Sequence, residues 1–351
     1  MEYPKFKVTV SCMTYNQAKY ITDAMNGFTM QQTSFPFVCT IVDDASTDGE
    51  QEVIRKYVEE NFDFSEDSVA FHKETDYAHI TYAQHKTNKN CYFAVLYLKE
   101  NHYSRRKDKS PYLKEWRDGV EYMAICEGDD YWIVQDKLEK QVIFLDENEE
   151  YVLVHTNFKA LNTLNGKMIS NAADRYNIEN GNVFENLFEG CFIRTPTVCY
   201  RNALFIYNNI PLPENTFDGD LFIFYVLARK GKFFYFNEET CIYRVLQESA
   251  SHTVSEDRRK LITHRYKNLD YFIADYYGAN IIELLDCKWF KVDLRNCIAT
   301  KDADGVMRLN MPKNISYGYK LLYYGSKSRT IISLFYYCLK LKRMLFCNNS
   351  F

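Results

Sequence analysis

Apolar residues in this chain come in two alternating patterns: short continuous runs, and stretches that recur every three or four positions. Lys7-Val8-Thr9-Val10-Ser11-Cys12-Met13 has strand composition, and beyond Thr14-Tyr15-Asn16-Gln17 the residues Ala18, Ile21, Ala24, Met25 and Phe28 fall at helical spacing. A second run, Phe37 to Val42, ends in Asp43-Asp44-Ala45-Ser46-Thr47-Asp48-Gly49, and Val53, Ile54, Tyr57 and Val58 mark the next helix. Ser46 or Asp48 is its expected cap. Ser68 to His72 is a weaker strand, and between Glu74 and Gly119 the pattern resolves no element, with His79 and His85 reading as loop histidines rather than ligands. Tyr122 to Cys126 is again continuously apolar, as in a strand covered on both faces of a parallel sheet. It stops at Glu127-Gly128-Asp129-Asp130-Tyr131-Trp132, with Asp130 expected near a helix N-terminus. Leu138, Val142 and Leu145 then predict a helix over 135–147, followed by a strand from Tyr151 to His155.

Further on, the Asn- and Gly-containing stretch 162–182 reads as loop or hairpin, a short helix opens at Val183 and ends at Gly190, and 194–201 leads a strand. Leu221, Phe224, Tyr225 and Ala228 share a helical face with Asp220 at the start and Gly231 as the stop. Phe233 to Phe236 and Thr240 to Val245 read as two short strands, and beyond Ser255 the pattern is helical. The expected fold is α/β: a mostly parallel central sheet flanked by helices over 1–255, with a helical extension over 256–351.

Composition changes little. The 351 residues include 29 Tyr and 25 Phe, enough to fill a thick core and leave rings for stacking on sugars or bases. A net charge of -4 gives no global basic field, so no nucleic acid is expected as partner. The 11 cysteines are an odd number without any C-x-x-C, which reads as buried reduced thiols, and the first residues show no signal peptide. Both point to the cytoplasm. Residues 329–346 are apolar and basic but too charged to span a bilayer. They form either a helix lying peripherally on the inner face of the plasma membrane or one packed back on the body.

Candidate chemistry sits in three acid clusters at element ends: Asp43-Asp44, Glu127 with Asp129 and Asp130, and Asp218-Gly219-Asp220. In open α/β sheets ligands bind beyond the carboxyl ends of the strands. Hard cations such as Mg2+ need only one or two carboxylates when ligand phosphates complete the shell. The plainer reading of each cluster is turn and cap chemistry.

Thr14-Tyr15-Asn16-Gln17, the Asp43-to-Gly49 segment, and Glu127-Gly128-Asp129-Asp130-Tyr131-Trp132 followed by Lys137-Leu138 together resemble, in order and spacing, the family 2 glycosyltransferases of GT-A fold. Gly219-Asp220 and Tyr243-Arg244 extend the likeness over roughly residues 5–250. The resemblance implies a nucleoside-diphosphate sugar donor, UDP-linked, a Mg2+ or Mn2+ cofactor, and inverting transfer to a glycan or lipid-linked acceptor of cell-envelope polysaccharide. It also implies roles: Asp129 holding the metal with Asp130 or Glu127 in support, Asp43 or Asp44 on the base, and Tyr15 packed against it. Asn16, Ser46 and Asp130 would line the donor site, and Asp220, with Asp218 as the substitute, would be the general base. The Gln-x-x-Arg-Trp motif of processive synthases is absent, which implies one sugar per encounter. Two rival readings remain, a nucleotidyltransferase that makes the activated sugar and a non-catalytic nucleotide-sugar binder.

Overall fold

The computed structural model describes residues 4–204, 210–216, 219–246 and 256–346. The first third builds β1 (Val8–Thr14), α1 (Ile21–Thr29), β2 (Phe37–Asp43), α2 (Glu50–Asn61), β3 (Phe71–Glu74), β4 (Ala78–Gln84), β5 (Cys91–Leu98) and α3 (Ser110–Arg117). Next come β6 (Tyr122–Ile125), β7 (Tyr131–Trp132), α4 (Lys137–Glu147), β8 (Tyr151–Asn162), β9 (Met168–Ile169), α5 (Asn186–Glu189) and β10 (Cys199–Arg201). The chain continues as α6 (Asp220–Ala228), β11 (Lys232–Val245), α7 (Glu256–Tyr276), α8 (Ile282–Thr300), α9 (Ala303–Arg308), α10 (Tyr317–Ser326) and α11 (Arg329–Phe346).

One mixed sheet holds the described strands in the order β3-β4-β5-β2-β1-β6-β10-β8-β11-β7, with β9 against β8. Its centre, β5-β2-β1-β6, is parallel throughout. The continuous apolar runs follow from this position, because β2 buries alternate side chains on opposite faces. Phe37, Cys39 and Ile41 pack with Met25 and Phe28 of α1 and Ile54 of α2, whereas Val38 and Val42 pack with Leu113 and Trp116 of α3. All seven β2 residues are buried.

Several expectations are revised. The stretch from Glu74 to Gly119 carries β4, β5 and α3, and His79 lies in β4 rather than a loop. The two strands expected after Gly231 are one, β11, whose polar Asn237-Glu238-Glu239 forms a register shift against β8 instead of a turn. Asp130 does not start a helix: Tyr131 and Trp132 first pair with Ile242 and Cys241 of β11, and α4 begins at Lys137. The cap of α2 is Gly49 at φ 91°, while Asp48 accepts the Glu50 N–H at 3.1 Å.

The chain divides into two compact units, the first formed by Met1–Phe184, Phe192–Ile210 and Ile223–His252. The second takes Glu185–Cys191 and Pro211–Phe222 together with Thr253–Phe351, so it draws in two segments that precede residue 255. Its own core is helical, with Phe290, Leu294, Ile298, Val306, Tyr323 and Ile332 packed together. There the fully buried Asp270 carboxylate accepts from Lys288 Nζ (2.6 Å) and Trp289 Nε1 (3.1 Å).

Candidate active site

The carboxyl ends of β1, β2 and β6 meet at one rim of the first unit, because β1 lies between the other two in parallel register. Glu50, at the start of α2, ties the first two loops together. Its fully buried carboxylate accepts from Gln17 N (2.9 Å) and Ser46 Oγ (2.8 Å) and also meets the Thr14 hydroxyl. Burial pushes the Glu50 carboxyl above the usual carboxylate range, against the lowering effect of those hydrogen bonds. Asn16, at φ 56°, accepts the Thr47 N–H on Oδ1 (2.8 Å) and donates its own N–H to Ser46 Oγ (2.9 Å). The side chains of Asn16 and Ser46 therefore hold loop to loop. Tyr15 between them is 45% exposed, a ring presented to solvent beside the rim.

The two acids after β2 do different things. Asp44 is gripped from outside by the backbone N–H groups of His102 (2.8 Å) and Tyr103 (2.9 Å) and by Lys109 Nζ (3.0 Å), so it anchors the basic loop after β5. Asp43 is fully buried; its Oδ2 accepts from Ser46 N (3.2 Å) and Gln51 Nε2 (2.5 Å), but its Oδ1 has no hydrogen-bond partner among the described residues. Burial raises the Asp43 carboxyl above its ordinary range. Ser46 and Gln51 also line an open groove of about 380 Å³ with Arg55, His79, Tyr97 and Lys99. A buried acceptor without a donor is costly in itself and suits a ligand N–H.

After β6 the chain turns at Gly128, where a Cβ would come within 2.3 Å of Thr14 Oγ1 and 2.6 Å of Gln17 Oε1. Only glycine lets this turn lie against the β1 loop. Glu127 Oε2 accepts from Thr195 Oγ1 at 2.6 Å. Asp130 is buried, and its Oδ1 accepts the backbone N–H of Arg244 (2.7 Å) from β11. The Arg244 guanidinium lies between the rings of Tyr20 and Tyr131, donates to the Asp129 carbonyl (2.7 Å) and pairs with Asp23. Burial, then the neighbouring charges of Asp129 and Glu127, push the Asp130 carboxyl well above its ordinary range, and burial raises Asp129 as well. Asp129 and Asp130 thus share the influence of one guanidinium that also pairs with Asp23, and Glu127 adds its charge at Asp130.

Among the described residues no three His, Cys, Asp or Glu side chains are grouped to hold a metal by themselves. Glu127, Asp130 and Asp129 are all hydrogen-bonded within the scaffold, Asp129 by Gln17 and by its own backbone N–H. Carboxylate oxygens are donors of the type a hard cation takes, with ligand oxygens completing its shell. Asp220 opens α6, and its Oδ1 accepts the Leu221 N–H at 2.9 Å. Asp218 lies outside the described residues. The sequence pattern missed Glu50, Thr195 and the function of Arg244; Arg244 shows only as part of the Tyr243-Arg244 pair.

No family model matches the chain. An uncharacterized protein of Mycobacterium tuberculosis is 27% identical over 253 residues, 72% of this chain and 63% of the relative. The poly(ribitol-phosphate) beta-N-acetylglucosaminyltransferase TarS of Staphylococcus aureus is 28% identical over 218 residues, 60% of this chain but 30% of TarS. The chain thus spans less than two thirds of these relatives. The structure of TarS residues 1–349 in complex with UDP aligns over 93% of this chain and 88% of that one, at 18% identity and a TM-score of 0.46. In its ordered motifs and its likeness to a named glycosyltransferase over 60% of its length, the chain is glycosyltransferase-like. No helix among the described residues is long and apolar enough to cross a membrane.

Proposed function

We propose that this protein transfers a sugar from a nucleoside-diphosphate sugar, UDP-linked, to a hydroxyl of a glycan or lipid-linked acceptor, with inversion and one sugar per encounter. The observation that carries the reading is the Glu127-to-Asp130 turn at the end of β6, where two buried carboxyls, Asp129 and Asp130, lie beside one guanidinium that also pairs with Asp23. Asp129, with Asp130 or Glu127 in support, would hold a Mg2+ or Mn2+ ion there, and the ion would supply Lewis-acid stabilisation of the leaving diphosphate. Asp43, with its unpartnered buried oxygen, would accept an N–H of the nucleobase, and Tyr15 would cover the base. Asn16, Ser46 and Asp44 act as the frame of that pocket. Arg244 and Asp130 would hold the turn in place while charge develops.

In the reaction the acceptor oxygen forms a bond to the anomeric carbon as the bond from that carbon to the diphosphate breaks, and a carboxylate takes the acceptor proton. Asp220 has this role by its match to the family motif, with Asp218 as the substitute. The similarity to a named N-acetylglucosaminyltransferase agrees with a UDP-sugar donor. A screen of nucleotide sugars for release of nucleoside diphosphate, with Mn2+, Mg2+ or chelator, tests the reading. Metal-dependent release from one donor is expected. Pyrophosphate release from a nucleoside triphosphate and a sugar phosphate would establish the nucleotidyltransferase instead, and donor binding without turnover would establish a binder.

A further inference from the structure

From Gly305 to Phe351 the sequence contains eight Lys and Arg and no Asp or Glu, although the whole chain carries -4. The charge is therefore segregated: an acidic body is followed by a basic stretch that contains α10 and α11. Within the second unit these two helices pack closely, since a Cβ at Gly325 would lie 2.8 Å from the Phe335 ring and 3.3 Å from Ile331. Despite this packing they keep a large apolar surface in solvent. On α10, Tyr317, Leu321 (55% exposed) and Tyr324 stand at i, i+4 and i+7. Leu321 precedes Gly325 by one helical turn, so this stripe runs toward the point where Ile331 of α11 crosses. Ile331 and Leu334 (60% exposed) continue the exposed apolar surface along α11, followed by Tyr337.

Among the described residues, Lys301, Lys320, Lys327 and Lys340 are in no ion pair with a carboxylate. Lys327 lies over the rings of Tyr323 and Tyr324 (4.4 and 5.5 Å), and Lys301 over Tyr336 and Tyr337 (4.4 and 4.8 Å). Arg329 is in an ion pair with Asp304 at 3.3 Å, between exposed side chains. Exposed aliphatic residues, tyrosines and unneutralised cations together match the interface of a bilayer with an anionic headgroup layer. A soluble polyanion would use the cations but gives no reason for exposed leucines.

We propose that the α10–α11 face docks on the surface of a membrane containing anionic lipid, with Leu321, Ile331 and Leu334 in the headgroup and acyl boundary and Lys320, Lys327 and Lys340 among the headgroups. The proposal does not depend on sugar transfer, because its readout is lipid binding by the full chain. Sedimentation with phosphatidylcholine vesicles, with and without about one third phosphatidylserine, is the measurement. Binding is expected only to the anionic vesicles and should weaken with salt. Lys320→Gln with Lys327→Gln should weaken it about 30-fold, and Leu321→Ser with Leu334→Ser by at least about 10-fold. Both variants change exposed side chains, and an unchanged melting temperature confirms their fold. Equal sedimentation with neutral and anionic vesicles, or none with either, overturns the proposal. So does full activity of the leucine variant in lipid binding together with complete displacement by inorganic polyphosphate, which would mark the face as a polyanion site.

Discussion

Arg244 and Asp130 are 114 positions apart in sequence, yet the Arg244 backbone N–H donates to Asp130 Oδ1 at 2.7 Å and its guanidinium donates to the carbonyl of the adjacent Asp129. One residue of β11 thereby fixes both peptide and carboxylate of the β6 turn. It is 7% exposed at the side chain and held between two tyrosine rings, so the grip is stiff. Arg244→Gln keeps the backbone bond and removes the guanidinium. A loss of about 2 kcal/mol is expected, from the unpaired carbonyl and the lost ring contacts, or roughly 4–8 °C in melting temperature. UDP affinity in Mn2+ should fall as well, since Asp129 loses its fixed orientation. Unchanged melting and unchanged UDP affinity would show that Arg244 is a bystander.

Burial raises the carboxyls of both Asp129 and Asp130 above their ordinary range. The folded protein then holds protons that the unfolded chain has released, so this contribution to stability is full below the ordinary carboxylate value near 4 and is lost as pH rises toward the raised values. Metal-assisted nucleotide binding needs the charged form and should run the opposite way, strengthening with pH. Melting temperature and UDP affinity in Mn2+ measured between pH 4.5 and about 8 are expected to diverge in this manner. Asp130→Asn should flatten the stability profile, and Asp129→Asn should remove the metal dependence of UDP binding. Parallel profiles in wild type and Asp130→Asn would sink the assignment.

How much of this was legible depends on distance along the chain. The runs that became β1, β2 and β6 announced themselves because each is covered on both faces, and the acids at their ends were visible as their terminations. β5, Cys91-Tyr92-Phe93-Ala94-Val95-Leu96-Tyr97-Leu98, carries the same signal and is fully buried, so a reading that resolves no element there passes over information that is present. β11 was divided because Asn237-Glu238-Glu239 looks like a turn by composition, and a bulge has no separate signature in residue types. The division of labour between Asp43 and Asp44 was not readable at all. It is set by the His102-to-Lys109 loop folding onto Asp44 and not onto Asp43, a contact across about sixty residues.

That division gives a separable expectation. Asp43→Asn keeps an oxygen for Ser46 N and Gln51 Nε2 but places an amide donor where a nucleobase N–H would need an acceptor. Nucleotide affinity should fall about 10-fold or more, while stability holds or rises slightly because a buried charge is removed. Asp44→Asn should act the other way, loosening the loop that carries Lys109 and lowering stability more than affinity. Isothermal titration with UDP beside thermal melting separates the two; the same ranking in both assays would reject the split.

Gly128→Ala tests the turn itself. The added methyl meets Thr14 Oγ1 and Gln17 Oε1 at distances no Cβ tolerates, and both atoms belong to the network around Glu50. A cost of roughly 1–3 kcal/mol is expected, with loss of UDP binding because the β1 loop and the acid turn are pushed apart. A variant that melts and binds like wild type would mean that the two loops are free to separate.

Asp220 as general base is the assignment on which turnover depends, and it competes with a simple role at the start of α6, since an aspartate there also serves the first-turn N–H groups and the helix dipole. The two roles coexist in one side chain but are lost differently. Asparagine is itself a good helix-start residue, so Asp220→Asn should preserve the fold, the start of α6 and donor binding. If the carboxylate takes the acceptor proton, kcat should nevertheless drop by roughly 100- to 10,000-fold, the usual range for removal of a general base. If it serves only the helix, Asp220→Asn should be nearly silent in kcat. Asp218→Asn is the necessary companion, because the two acids flank Gly219 and either could reach an acceptor hydroxyl by sequence position. Measuring kcat, UDP affinity and melting temperature for both variants decides the matter: near-normal turnover in Asp220→Asn with collapse in Asp218→Asn transfers the role to Asp218, and near-normal turnover in both removes this segment from the proton transfer.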